Sequence, residues 1–176
     1  MGIMTGKKGI IFGVSNKRSI AYGIANKLHQ EGAEIAFTYA GEIMESRVRP
    51  IAESMNSKLI TSCDVLKDDD ISRVFKEYQE HYDTLDFVVH SVAFAQKEDL
   101  SGDFTNTSRE GWNLALQVSA YSLIPITREA RKQMRNGGSI VTLSYLGGEK
   151  AIPNYNIMGI AKSALESSVR YLAAEL

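Results

Sequence analysis

Short, mostly apolar runs alternating with amphipathic stretches restrict this chain more than any other feature. Runs at 9–13, 34–39, 58–62, 85–90 and 139–143 read as strands. Helical periodicity fills the gaps at 19–30, 43–55, 68–82 and 109–134, and returns from about 156 onward. Strands this apolar, each followed by a helix, fit a parallel sheet covered on both faces. The expectation is an α/β, doubly wound, Rossmann-like parallel sheet in the order 3-2-1-4-5. With no repeat, linker or low-complexity tract, residues 1–176 read as one dinucleotide-binding domain.

Several boundaries have a local chemical cause. Gly32 follows the first helix, where a left-handed cap is needed. Asp68, Asp69 and Asp70 put negative charge in the first turn of the third helix, where the macrodipole favours it. Asn136-Gly137-Gly138 should stop the fourth helix, and Pro125 inside it should kink it or split it in two. The last helix runs to Leu176 with neither a capping glycine nor a polar tail. The expectation is a C-terminally truncated domain, with the remaining strands absent and the fifth strand left as an edge.

Composition removes several classes of function. Lys plus Arg number 20 and Asp plus Glu 21, a net charge of -1, so nothing draws the chain to nucleic acid or an anionic membrane. No apolar run is long enough to span a bilayer. The single cysteine, Cys63, permits no internal disulfide and suits a reducing cytoplasm, where it reads as a small buried hydrophobe. His29, His81 and His90 show no metal-ligand spacing, so no metal site is expected.

The C-terminal ends of the predicted strands carry the candidate chemistry, because ligands of such sheets collect there. After the first strand come Gly13, a polar loop, then Ser19-Ile20-Ala21-Tyr22-Gly23. Gly13 allows a tight turn beside a pyrophosphate. Ser19 can cap the helix and bond a phosphate, with the Ile20 N–H pointing the same way. Gly23 would let the helix pack closely on the strand. The loop lacks G-x-G-x-x-G, and an ordinary capped turn explains it about as well. After the second strand stands Glu42 with no basic residue at 40–42, which favours the free ribose hydroxyl of NAD; a solvated helix-start carboxylate is at least as good a reading. Asp64 and Val65 follow the third strand, where Asp64 can accept from an adenine amino group or cap the next helix. Val92 and Ala95 belong to a small-residue segment after the fourth strand, against which a ribose and nicotinamide can lie. His90 is assigned no role.

Tyr155 and Lys162 are seven residues apart, nearly two helical turns, so both project from one face, with Gly159 between them leaving a gap. A phenol and an ammonium so placed can act together on a nucleotide sugar and a polarised carbonyl. Tyr145 adds a second phenol ten residues earlier, with plain aromatic packing as its rival reading.

Tyr155 and Lys162 on a helix after the fifth strand resemble the signature of the short-chain dehydrogenases/reductases. Gly13 with Ser19-Ile20-Ala21-Tyr22-Gly23, Asp64-Val65, His90 to Ala95, and Leu143-Ser144-Tyr145-Leu146-Gly147 resemble one branch, the enoyl-acyl-carrier-protein reductases of bacterial type II fatty-acid synthesis. The resemblance implies reduction of the trans-2 double bond of an enoyl thioester on acyl carrier protein, with NADH, by a cytoplasmic homotetramer. It implies that Tyr155 bonds the developing enolate, that Tyr145 assists, and that Lys162 grips the nicotinamide ribose and lowers the pKa of Tyr155. It implies cofactor contacts from Gly13, Ser19, Ile20, Asp64, Val65, Val92 and Lys162, with Ala95, and Met158 if it is not core filling, bordering the acyl chain. Two rivals stand: a 3-oxoacyl thioester reductase, whose serine would fall where Thr142 stands, and a nucleotide-binding fragment without catalysis.

Overall fold

The computed structural model describes residues 2–176, and its contacts gather into two compact units. The first comprises residues up to Ser91 together with Thr127–Thr142. It holds a five-stranded parallel sheet in the order β3-β2-β1-β4-β5, as expected from the strand–helix alternation. The strands are β1 (Lys8–Phe12), β2 (Glu34–Tyr39), β3 (Ile60–Ser62), β4 (Phe87–His90) and β5 (Ser139–Thr142). Ile10, Ile11 and Phe12 on β1, and Ile35, Ala36 and Phe37 on β2, are all buried, as central strands covered on both faces must be. On β5 the burial lapses at alternate residues and Val141 is exposed, so this strand is an edge.

Helices α1 (Ile20–Gln30), α2 (Glu42–Ser54) and α3 (Asp68–His81) belong to the same unit. Ala21 and Ala25 of α1 and Val48, Ile51 and Ala52 of α2 pack in one apolar cluster with Ile11, Ile35, Phe37 and Val89. α3 buries Ile71, Val74, Phe75 and Tyr78, and the Phe75 ring lies 6.0 Å from that of Phe12. α1 ends in a Schellman motif: Ala33 N–H donates to Leu28 O, Gly32 N–H to His29 O, and Gly32 sits at φ 96°. Gly23 departs from expectation. It faces open space, where an added Cβ meets nothing within 4 Å. The close approach belongs to Ala21 and Ala25.

The second unit comprises Val92–Ile126 and Leu143–Leu176. It contains α4 (Arg109–Leu116), a π-helical turn (Gln117–Tyr121), α6 (Asn156–Glu175) and the start of α5 (Leu123–Arg131), whose later part lies in the first unit. The predicted 109–134 helix is thus divided, but upstream of Pro125. Ser122 N–H reaches back five residues to Gln117 O at 3.1 Å, and the Ser122 hydroxyl donates to Val118 O at 2.7 Å. Pro125 then falls in the first turn of α5, just past the π-helical turn. The inserted residue turns the Ser119 hydroxyl onto the backbone of Phe94: it accepts from Phe94 N–H at 3.0 Å and donates to Phe94 O at 3.2 Å.

Candidate active site

In the first unit the turn after β1 is closed by its own residues. Gly13 has φ 95°, a region open mainly to glycine. Ser19 N–H and hydroxyl both donate to Asn16 O, at 3.1 and 2.7 Å, and Asn16 Oδ1 accepts from Arg18 N–H. Ser19 is the N-cap of α1, its oxygen accepting from Tyr22 N–H at 3.2 Å. The hydroxyl proton is therefore already committed within the loop. The first-turn N–H groups of α1, beginning at Ile20, are those a helix leaves without internal acceptors, and the exposed Ile20 sits at that end.

At the end of β2, Gly41 (φ 75°) precedes α2, whose first turn carries Glu42 and Glu45. Glu45 Oε1 accepts from Arg49 Nε at 3.1 Å, which takes up the nearby guanidinium. Beyond β3, Asp64 Oδ1 accepts from Leu66 N–H at 3.1 Å and Asp64 N–H donates to Asp70 Oδ2 at 2.9 Å. The Asp64 side chain closes a local turn, ahead of the N-cap of α3 at Lys67. Val65 beside it is half-buried. Burial pushes the Cys63 thiol up to about 12, which suits an inert hydrophobe. His90 is 1% exposed and its Nδ1 lies 2.8 Å from Thr142 Oγ1, across the β4–β5 pair.

In the second unit Tyr145, Tyr155 and Lys162 come together around the segment Leu143–Gly147. Lys162 is 6% exposed and its Nζ donates to Leu143 O at 2.6 Å. The Tyr145 and Tyr155 rings meet edge to face with centroids 4.8 Å apart. Tyr145 is half exposed, and Tyr155, immediately before α6, is half-buried. Gly147 makes the approach possible, because a Cβ there would fall 2.3 Å from Tyr155 Cδ1. Gly159 works differently from the open notch expected: a Cβ there would lie 2.7 Å from Gly147 O, so the loop backbone fills the space. Met158 is buried and Ala95 half-buried. Val92, also half-buried, starts the segment that Ser119 holds at Phe94.

The electrostatics correct one expectation. Burial, and then the neighbouring Tyr145, raise the pKa of Tyr155; Lys162 does not lower it. The lysine's own pKa is lowered by burial, with Glu166 opposing.

Residues that sequence reasoning passed over also shape this region. Asn156, at φ 24°, donates through Nδ2 to Gly102 O at 3.1 Å. Asp99 is buried, accepts from Ser108 N–H at 3.1 Å, and keeps Oδ2 without a partner. Gly111 leaves room for that carboxylate, since a Cβ there would lie 1.7 Å from Asp99 Oδ2. Only the helix-opening pattern of Ser108 hinted at this in the sequence. A cleft of about 410 Å3 opens beside Tyr155, lined also by Phe104, Ala151, Ile152 and Ile160.

A parallel sheet in this order, followed by a tyrosine and a lysine that both meet the segment after β5, is the frame of a short-chain dehydrogenase/reductase. The sequence matches the model of the family described as Enoyl-(Acyl carrier protein) reductase over residues 13–176. The chain belongs to that family. It is 52% identical to the enoyl-[acyl-carrier-protein] reductase [NADH] FabI of Aquifex aeolicus, covering 100% of this chain and 66% of that protein. The reductase of Anaplasma phagocytophilum, solved in complex with NAD, is 46% identical at TM-score 0.95, covering 100% of this chain and 68% of that one. The Bacillus cereus reductase, solved with NADP+ and an indole naphthyridinone, is 47% identical at TM-score 0.96, covering 100% and 69%. The chain thus spans about two thirds of the length of the curated relatives it matches. Among the described residues no helix is long and apolar enough to cross a membrane, and no group of three His, Cys, Asp or Glu side chains could hold a metal ion.

Proposed function

We propose that the protein reduces the trans-2 double bond of an enoyl thioester carried on acyl carrier protein, using NADH, in fatty-acid elongation. The observation that carries this reading is the gathering of Tyr145, Tyr155 and Lys162 around Leu143–Gly147 in a chain of this family. NADH, when bound, supplies the hydride. As the double bond is reduced, negative charge collects on the thioester oxygen, and a donor aimed at that oxygen lowers the barrier. Tyr155 is that donor. Its raised pKa keeps the phenol protonated at neutral pH, so it can donate throughout. Tyr145, in edge contact with Tyr155, steadies that ring and borders the substrate.

Lys162 spends one proton on Leu143 O and keeps two for the hydroxyls of the nicotinamide ribose. Val92 lies beside that sugar, and Ala95 borders the acyl chain. On the adenosine side Gly13, Ser19 and Ile20 receive the pyrophosphate, with the Ile20 N–H as the available donor. Asp64 and Val65 receive the adenine. Glu42 and Glu45 at the start of α2, with Arg49 occupied by Glu45, favour a ribose hydroxyl over a phosphate and so NADH over NADPH. In this reading residues 1–176 act as a single dinucleotide-binding domain, in a cytoplasmic homotetramer.

The 3-oxoacyl rival is disfavoured by Thr142, whose hydroxyl is tied to His90 Nδ1. The test is oxidation of NADH with a crotonyl thioester against an acetoacetyl thioester. Turnover with crotonyl alone is expected; turnover with acetoacetyl alone would replace this reading by its rival, and NADH binding without turnover would leave a nucleotide-binding protein. Tyr155→Phe should lower kcat about 100-fold or more while the NADH Kd stays within about twofold. An unchanged kcat would remove Tyr155 from the chemistry.

A further inference from the structure

We propose that Glu166 is the positioning residue for Lys162: its carboxylate, one helical turn beyond the lysine and bonded by the Ser144 hydroxyl, shares a helix face with the ammonium and fixes the segment that carries its acceptor. Three observations converge on that carboxylate. Lys162 and Glu166 are four residues apart on α6, so both side chains leave the same face of the helix. The Ser144 hydroxyl donates to Glu166 Oε1. Ser144 lies between Leu143, whose carbonyl accepts from Lys162, and Tyr145, which packs on Tyr155. One carboxylate thereby ties α6 to the backbone that holds both the lysine and the second phenol.

The slot is built for it. A Cβ on Gly148 would fall 2.8 Å from Glu166 Oε1 and 3.3 Å from the Lys162 carbonyl carbon, so the loop passes this close because residue 148 has no side chain. The same turn is fastened to α6 again where the Ser163 hydroxyl donates to Gly148 O.

Electrostatics give the arrangement a purpose. An ammonium at 6% exposure loses most of its hydration, which favours the neutral amine. Among the described residues Glu166 is the charge that opposes this. The elements most closely packed on α6 are the turn Leu146–Gly148, the π-helical turn and α4. Their titratable side chains are Tyr121, Arg109 and Glu110, and none of them bears on Lys162. Without the carboxylate nothing among the described residues would offset that burial, and the ammonium would pass more readily to the neutral amine, a weaker donor to Leu143 O. The inference rests on reading Lys162 as the residue that grips the ribose.

A double-mutant cycle tests the inference. Glu166→Gln keeps an acceptor for Ser144 and removes the charge, Glu166→Asp keeps the charge, and Lys162→Met removes the ammonium. In the absence of cofactor, Glu166→Gln should lower Tm by about 3 °C or more in the wild-type background and by nothing measurable beside Lys162→Met. With NADH, Glu166→Gln should raise Kd roughly fivefold, Glu166→Asp should stay within about twofold, and the Gln effect should vanish in the Lys162→Met background. Equal Tm losses with and without Lys162, or failure to fold in both backgrounds, would reduce Glu166 to a structural partner of Ser144 and overturn the proposal. Failure to fold only when Lys162 is present would support it. If the wild-type chain bound no NADH, the functional reading would fall, and the Tm cycle would still decide this one.

Discussion

The turn after β1 and the segment from Leu143 to Lys162 both carry candidate chemistry, and they are held in opposite ways. The first is closed by bonds within a few residues: Asn16 O to Ser19, Asn16 Oδ1 to Arg18, Ser19 Oγ to Tyr22. The second is closed by contacts across ten to more than twenty residues: Tyr145 with Tyr155, Gly147 with Gly159, Lys162 with Leu143, Ser144 with Glu166. A locally closed loop can lose one bond and keep its neighbours. A segment wedged against a helix cannot, because every contact depends on the same close approach. Substitutions in the second region should therefore reach further than equivalent ones in the first.

The largest effect is expected at Gly147. A methyl group there would sit 2.3 Å from Tyr155 Cδ1 and 2.7 Å from Cε1, so the ring or the loop has to move. Gly147→Ala should cost about 1–3 kcal/mol in urea unfolding, as overpacking does, and it should abolish turnover by displacing the phenol. A variant with wild-type stability and kcat would mean that the loop yields freely, and the contrast between the two regions would collapse.

Gly13→Ala comes next. At φ 95° an alanine is strained whatever the space around it, and the cost should be roughly 1–2 kcal/mol. The loss should appear in NADH Kd more than in kcat, since the phenol and the lysine are untouched. A kcat loss with unchanged Kd would show that this turn does not serve the cofactor.

At Ser19 the two readings of the loop separate. Ser19→Ala removes the cap and should cost about 1 kcal/mol. Ser19→Asp restores a good N-cap but puts a negative charge where a pyrophosphate is expected. Stability should return with the aspartate while NADH Kd rises at least tenfold or so, the scale of a close like-charge contact. Recovery of both would leave Ser19 as a cap only.

The same contrast explains what could be read from the sequence. The sheet, its order and the caps at Ser19 and Gly32 were legible because burial pattern and turn chemistry act over a few residues. Tyr155 and Lys162 were legible because helical spacing is a local rule. The break at Gln117–Tyr121 was not, because a π turn carries no local signature and Pro125 pointed downstream of it. The raised pKa of Tyr155 was hidden as well. It depends on how deeply the ring sits and on the Tyr145 ring packed against it from ten residues earlier. Asp99 and Asn156 escaped for the same reason, their partners being Ser108, Gly111 and Gly102 across loops with no periodicity.

The smallest effect, and the only favourable one, is expected at Gly23. Its sequence position, one turn into α1 after a glycine-containing loop, suggests close packing on the strand, for which any side chain would be too large. The structure leaves the position facing open space. If so, glycine here gains nothing from its size and keeps its conformational cost within the helix. Gly23→Ala should then stabilise the protein by about 0.5–1 kcal/mol, the difference in helix propensity between the two residues. Chemical unfolding of the protein without cofactor measures this directly. A destabilised variant would mean that α1 lies closer to its strand at Gly23 than the open space implies. A stabilised variant whose NADH affinity fell would place the missing side chain on the path of the cofactor instead, as a clearance for the ligand and not for the fold.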